Sequence, residues 1–274
     1  RELVVAEIQS PLRRVLRDQL TRIPEVVIAP GCSHLRHQGV DAIVVPSLLN
    51  DGIELGPGNY LTLAKAVASA AQLVGIDAVQ ALRQPGSTLK PLLYAMAIEK
   101  GWSADTRLDD GRLTERVGSG LHEYRNYSRT HYGAVTVREA LGNSLNIPAV
   151  KALQFVGGDA FLARLRALGM SGLNQSADFY GDGIALGNAE ISLYQLVQAY
   201  ATLARGGRHQ PLSTLAQERA LRPQQQLIAR EAALSVSDIL SDPQARLLEF
   251  GAGGLLRFPV RTAVKTGTST DYRD

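Results

Sequence analysis

Residues 83–94 read Arg-Gln-Pro-Gly-Ser-Thr-Leu-Lys-Pro-Leu-Leu-Tyr: a Pro-Gly turn, then a serine and a lysine three positions apart at the head of an apolar run. The pattern predicts a helix over 87–100, and on a helix positions i and i+3 share a face, which brings the Lys90 amine within reach of the Ser87 hydroxyl. The turn delivers Ser87 near the helix N-terminus, where free backbone N–H groups and the positive dipole end stabilise a developing oxyanion. Pro91 removes the bond to the Ser87 carbonyl, so the first turn should be irregular. Taken alone, the same letters describe an ordinary helix start with a surface lysine.

Working outward, two more short patterns follow: Ser144-Leu145-Asn146 and Lys265-Thr266-Gly267. Thr136 with Glu139 three residues on is a capping box opening a helix to about Asn143, and Pro148 starts another running to about Phe155, closed by Gly157-Gly158. Ser144 and Asn146 thus stand in a break between helices, where a hydroxyl and a carboxamide can face one cleft as proton relay and substrate amide clamp. The plainer alternative is that Asn143 or Ser144 caps the second helix. Residues 260–269 are β-branched and Thr-rich and predict a strand, to whose edge an extended peptide could add, with Gly267 letting backbones approach closely. Should Lys90 and Lys265 converge on Ser87, burial and mutual repulsion would lower the Lys90 pKa and free a neutral amine to act as base.

The rest of the chain supplies scaffold and exclusions. With 274 residues, 45% apolar, 20% charged and one cysteine, it is a globular chain with a sizeable core, neither disordered nor a disulfide-stapled miniature. The net charge of +3 is spread, with 24 Arg and 5 Lys and no basic stripe interleaved with aromatics, which argues against nucleic acid. The longest nearly apolar run, 63–75, is interrupted by Lys65, Ser69 and Gln72 and is far short of the roughly 18 residues a membrane span needs. Amphipathic spacing predicts a helix over 9–22, a strand over 40–45 stopped by Pro46, helical character over 61–73, a long polar loop over 101–133, and helices over 192–204 and 230–240. Cys32, His34 and His37 have local metal-like spacing without an apparent fourth ligand, Asp109-Asp110 reads as a solvated pair, and 251–254 lacks the Lys and Ser/Thr of a phosphate loop. None of these makes a metal or cofactor site.

The three patterns in this order form the set of penicillin-binding proteins and serine β-lactamases, apart from Leu145 in the middle position. The stretches 83–94, 132–150, 186–207 and 263–274 resemble the transpeptidase domain of class A penicillin-binding proteins, of the 1C-type branch in particular. That resemblance implies an α+β fold with an antiparallel sheet, here incomplete, and a helical subdomain. It also implies that 1–274 is a transpeptidase domain cut short after the third pattern, with the family's glycosyltransferase domain and membrane anchor absent. The stretch 46–75 departs from the family, which has an Asp, a Thr-Gly turn and a second strand there.

By the same resemblance Ser87 is the acylated nucleophile, Lys90 its general base and Ser144 the relay toward Lys265. Asn146 holds the substrate amide, Thr266 and Thr268 its terminal carboxylate, Gly267 the close approach, and the N–H groups of Ser87 and Thr268 the oxyanion. The implied reaction attacks a D-alanyl-D-alanine stem peptide and transfers its acyl group to an amine of a neighbouring peptidoglycan strand, at the periplasmic face of the bacterial inner membrane. β-Lactams would acylate the same serine. A class A β-lactamase would also need a Glu followed four residues later by Asn; none of the glutamates after Asn146 has this partner. A D,D-carboxypeptidase and an inactive penicillin-binding fragment are the other readings.

Overall fold

A computed structural model describes residues 41–46, 77, 79–117, 120–213, 221–253, 256, 258 and 260–268. The expected helices over 9–22 and 61–73 and the trio Cys32, His34 and His37 lie outside the described residues. The expected strand near 40–45 forms as β1 (Asp41–Pro46), with Pro46 as its last residue. The serine-bearing turn, Gly86–Leu89, is a single stretch of 3₁₀ helix that runs into α1 (Lys90–Glu99). Pro91 accounts for this irregularity: it cannot donate to the Ser87 carbonyl, which takes the Lys90 N–H instead.

The polar stretch 101–133, expected as loop, instead pairs as small antiparallel strands. β2 (Arg107–Asp110) pairs with β5 (Gly133–Thr136), and β3 (Leu113–Val117) with β4 (Gly120–Tyr124). Their signal was hidden because the inward positions of β2 are Leu108 and Asp110, so a carboxylate breaks the apolar alternation that announces a strand. Helix α2 (Val137–Gly142) carries the Thr136–Glu139 capping box, with both reciprocal bonds formed. It is followed by α3 (Asn146–Val156), α4 (Gly158–Ala167), α5 (Leu193–Ala204), which has its own Ser192–Gln195 box, and α6 (Arg230–Ser241). The last strand, β6 (Thr262–Gly267), pairs antiparallel with β1, setting Ile43 opposite Lys265 and Asp41 opposite Gly267. Helices and small antiparallel sheets together give the expected α+β architecture.

Helix α1 is the axis of the core. Leu92, Leu93, Tyr94, Ala95 and Ala97 are wholly buried around it, so it presents no solvent face until its last turn. It packs against α3 and α6, and α6 in turn packs against β6. Lys90 and Lys265 are thereby carried on two elements that share α6 as a neighbour.

Backbones also meet directly around Ser87. The Gly86 N–H, at φ +55°, donates to the Gly187 carbonyl at 3.3 Å, and Gly187 itself has φ +79°. A Cβ on Gly187 would stand 2.0 Å from the Gly86 oxygen; one on Gly86 would stand 2.3 Å from the Thr268 oxygen. One on Gly267 would stand 2.8 Å from the Pro85 oxygen. These glycines let the serine turn lie against the end of β6 with no side chain between. Gly187→Ala should therefore cost at least about 2 kcal/mol in denaturant unfolding, combining the left-handed penalty with the overlap. Gly253→Ala, with nothing within 4 Å of its added carbon, should stay within about 0.5 kcal/mol. Equal losses at the two positions would contradict this account of the crossing.

Candidate active site

The break between α2 and α3 makes one residue serve two lysines. Lys90 Nζ donates to the Ser144 carbonyl at 2.6 Å, the Leu145 carbonyl at 3.0 Å and Asn146 Oδ1 at 2.7 Å. Lys265 Nζ donates to Ser144 Oγ at 2.7 Å and to the Thr266 carbonyl at 2.8 Å. Both amines are shut away from solvent, Lys90 at 0% and Lys265 at 2% exposure. Ser144 achieves its double contact by sitting at φ +59°, in the left-handed region. The residue capping α3 is Leu145, which makes no side-chain cap, so neither Asn143 nor Ser144 is spent on capping that helix.

Burial is the largest force on both amines. It pushes Lys265 down to about 7. Lys90 is driven well below its ordinary value by burial and then by the Lys265 cation, while the Glu249 and Asp110 carboxylates pull the other way. Its three acceptors also favour the ammonium form, since they use all three N–H donors. Desolvation beside a second cation outweighs them, and we take the net direction as downward.

Ser87 is half-buried, and among the described residues no hydrogen bond holds its hydroxyl. The Ser87–Lys90 bond expected from i, i+3 spacing is not formed, because the Lys90 donors all point to the 144–146 segment. Thr266 is buried at 8% exposure and Gly267 is buried too, while Thr268 is half-buried and the more accessible of the two hydroxyl residues. Asn146 sends Nδ2 to the Arg125 carbonyl at 2.8 Å, and its backbone N–H donates to Asn126 Oδ1 at 2.8 Å. Lys90, Ser144, Asn146 and Lys265 are thus joined by direct hydrogen bonds, and the Ser87 turn abuts Gly267 and Thr268.

A family model for the penicillin binding protein transpeptidase domain matches residues 58–274. The chain belongs to the penicillin-binding protein transpeptidase domain family. Penicillin-binding protein 1C of Escherichia coli is 31% identical over 201 residues, which is 73% of this chain and 25% of that protein. Penicillin-binding protein 1A of Aquifex aeolicus is 36% identical over 132 residues, covering 47% of this chain and 18% of that protein. Among solved structures, penicillin-binding protein 1A from Haemophilus influenzae superposes with TM-score 0.53 at 21% identity, over 62% of this chain and 31% of the other. PonA1 from Mycobacterium tuberculosis does so with TM-score 0.52 at 22% identity, over 61% and 49%. These likenesses are to the fold, and this transpeptidase domain spans about a quarter of the length of the curated relatives.

Sequence reasoning missed the residues behind this cluster. Asp109 and Asp110 are not a solvated pair: Asp109 is exposed and pairs with Lys151 at 2.8 Å, but Asp110 is 0% exposed. It accepts from Asn126 Nδ2 at 2.9 and 2.7 Å and from the Tyr132 N–H at 2.9 Å. Glu249, met in the sequence only as a glutamate with the wrong follower, accepts from Ser128 Oγ at 2.7 Å and Tyr132 Oη at 3.1 Å. Strand alternation at 107–110, with Asp110 in phase with Leu108, was the one signal that could have marked Asp110 as inward-facing.

The left-handed turn at Ser144 carries a checkable cost. An L-residue there gives up about 1–2 kcal/mol that glycine does not. Ser144→Gly and Ser144→Ala both lose the hydroxyl, so thermal unfolding should find the glycine variant more stable by about 1 kcal/mol. An alanine variant equal to or better than the glycine one would mean the turn is not strained.

Proposed function

We propose that this domain performs acyl transfer on D-alanyl-D-alanine stem peptides through a Ser87 acyl-enzyme, crosslinking peptidoglycan, and that β-lactams acylate the same serine. The observation that carries the reading is the meeting of two depressed amines at one residue beside the serine turn, Lys90 on the Ser144 carbonyl and Lys265 on its hydroxyl. A neutral Lys90 takes the proton of Ser87 as Oγ attacks the penultimate carbonyl. The contact it needs is absent in the free domain, as hydrogen bonds to a nucleophile often are until substrate binds. The backbone N–H groups of Ser87 and Thr268 receive the oxyanion.

Ser144, bonded to Lys265, passes a proton to the departing D-alanine nitrogen, and the acceptor amine then attacks the acyl-enzyme by the reverse sequence. Asn146 holds the substrate amide with the Nδ2 hydrogen that Arg125 leaves free, and Gly267 admits the peptide backbone. Thr268, with Thr266 behind it, takes the terminal carboxylate. The substrate places the reaction at the periplasmic face of the inner membrane; no helix among the described residues is long and apolar enough to cross it. No residue group able to hold a metal occurs among the described residues.

A stable acyl-enzyme is favoured over β-lactamase turnover because no glutamate after Asn146 has an Asn four residues on, and Glu249 is engaged with Ser128 and Tyr132. Fluorescent penicillin should leave a long-lived adduct on the wild-type chain and none on Ser87→Ala. Ser144→Ala should slow labelling by about 10² or more. Labelling of Ser87→Ala would remove the serine from its role, rapid loss of the label would turn the assignment to a β-lactamase, and an unlabelled wild type would leave an inert fragment.

A further inference from the structure

Behind Asn146 lies a polar pair that no motif contains. Asp110 is wholly buried and its carboxylate accepts three hydrogen bonds, two from Asn126 Nδ2 and one from the Tyr132 N–H. Asn126, at 3% exposure, sends the same Nδ2 to the Thr130 carbonyl at 2.9 Å and turns Oδ1 to the Asn146 N–H. An ionised carboxylate accepts and never donates, so its presence decides which end of the Asn126 amide faces it. With Nδ2 turned to Asp110, Oδ1 is the only group left to receive Asn146, and that fixes the first residue of α3. Asn146 is oriented by the same logic: the Arg125 carbonyl claims its Nδ2 and leaves Oδ1 for Lys90. The buried carboxylate thus orients the Asn126 amide that holds the Asn146 backbone, and the Arg125 carbonyl turns the Asn146 side chain toward the Lys90 amine.

We propose that Asp110 and Asn126 are positioning residues for acyl transfer: Asp110 turns the Asn126 amide so that it holds the first residue of α3, where Asn146 and the neighbouring carbonyls meet Lys90, and Asp110 adds a sealed negative charge to the site. The inference rests on the reading of Lys90 as base and deepens it. Charged groups face Lys90 from three elements: Lys265 from β6, Glu249 from the helical turn 247–250 and Asp110 from β2. Lys265 disfavours the ammonium and the two carboxylates favour it. Glu249, half-buried, pulls harder than Asp110, which lies sealed behind Asn126. A low base pKa is needed for the amine to be neutral, but one set too low makes it a weak base; Asp110 tempers the drop.

The test is a lysine ¹³Cε NMR titration of the wild-type chain and Asp110→Asn, read beside the pH dependence of penicillin acylation. Asn is nearly isosteric and keeps one acceptor for Asn126. The Lys90 midpoint should fall in Asp110→Asn, and the rising limb of acylation should move to lower pH with it. A purely structural Asp110 would lower the labelled fraction and leave both midpoints in place, and that result overturns the proposal. If the Lys90 midpoint falls while the acylation limb stays, the positioning pair stands and the assignment of Lys90 as base fails. Should Asp110→Asn not fold, hydrogen exchange of the Asn126 side-chain amide in the wild type decides. Strong protection at Nδ2 is expected, and exchange as fast as that of an exposed asparagine refutes the orienting bond.

Discussion

Two lysine amines buried against one serine are the constraint on which the rest of this domain depends. Removing an ammonium from water is costly, and two together are worse, so the surroundings must provide either acceptors or neutrality. This fold provides some of each. Carbonyls of the 144–145 segment and the Asn146 side chain accept from Lys90, and Ser144 Oγ accepts from Lys265. Desolvation holds Lys265 near 7 and keeps Lys90 depressed. The tension between acceptors that want a cation and a cavity that rejects one makes these amines fit for moving protons.

Everything nearby serves to hold that arrangement still. Helix α1, buried on nearly all sides, fixes the Lys90 backbone; α6 bridges α1 and β6; and the left-handed Ser144 presents its carbonyl and hydroxyl to different lysines. Close backbone crossings at Gly86, Gly187 and Gly267 hold the serine turn against the end of β6. The Tyr200 hydroxyl adds a buried bond to the Thr88 carbonyl at 2.8 Å, fastening that turn to α5. The hydroxyl of Ser87 itself is left out of these bonds among the described residues.

Much of this was legible in the chain because the patterns involved are local. The capping box at Thr136–Glu139, the break holding Ser144 to Asn146, the irregular turn before Pro91 and the strand carrying Lys265 all follow from spacing and backbone chemistry within a few residues. The family came from three short patterns in a fixed order, and the match over 58–274 bears it out. What stayed hidden was non-local or polar. Strands β2 to β5 bury too little apolar surface to alternate visibly, and Asp110 looks like any acidic loop residue until Asn126 is brought beside it from 16 positions away. Helical spacing suggested that Lys90 would bond Ser87; it could not show that three acceptors 54 to 56 residues distant would compete for the same amine.

The claim most exposed to a single measurement is that the amines at 90 and 265 share a buried, water-poor site. The wild-type chain, with its five lysines labelled at Cε and titrated by NMR, puts that directly to the test. Two resonances should titrate far below the others, one of them near pH 7, with curves that bend each other's shape as coupled groups do. Five lysines all titrating near the ordinary value of about 10.4 would show that no such site exists in solution.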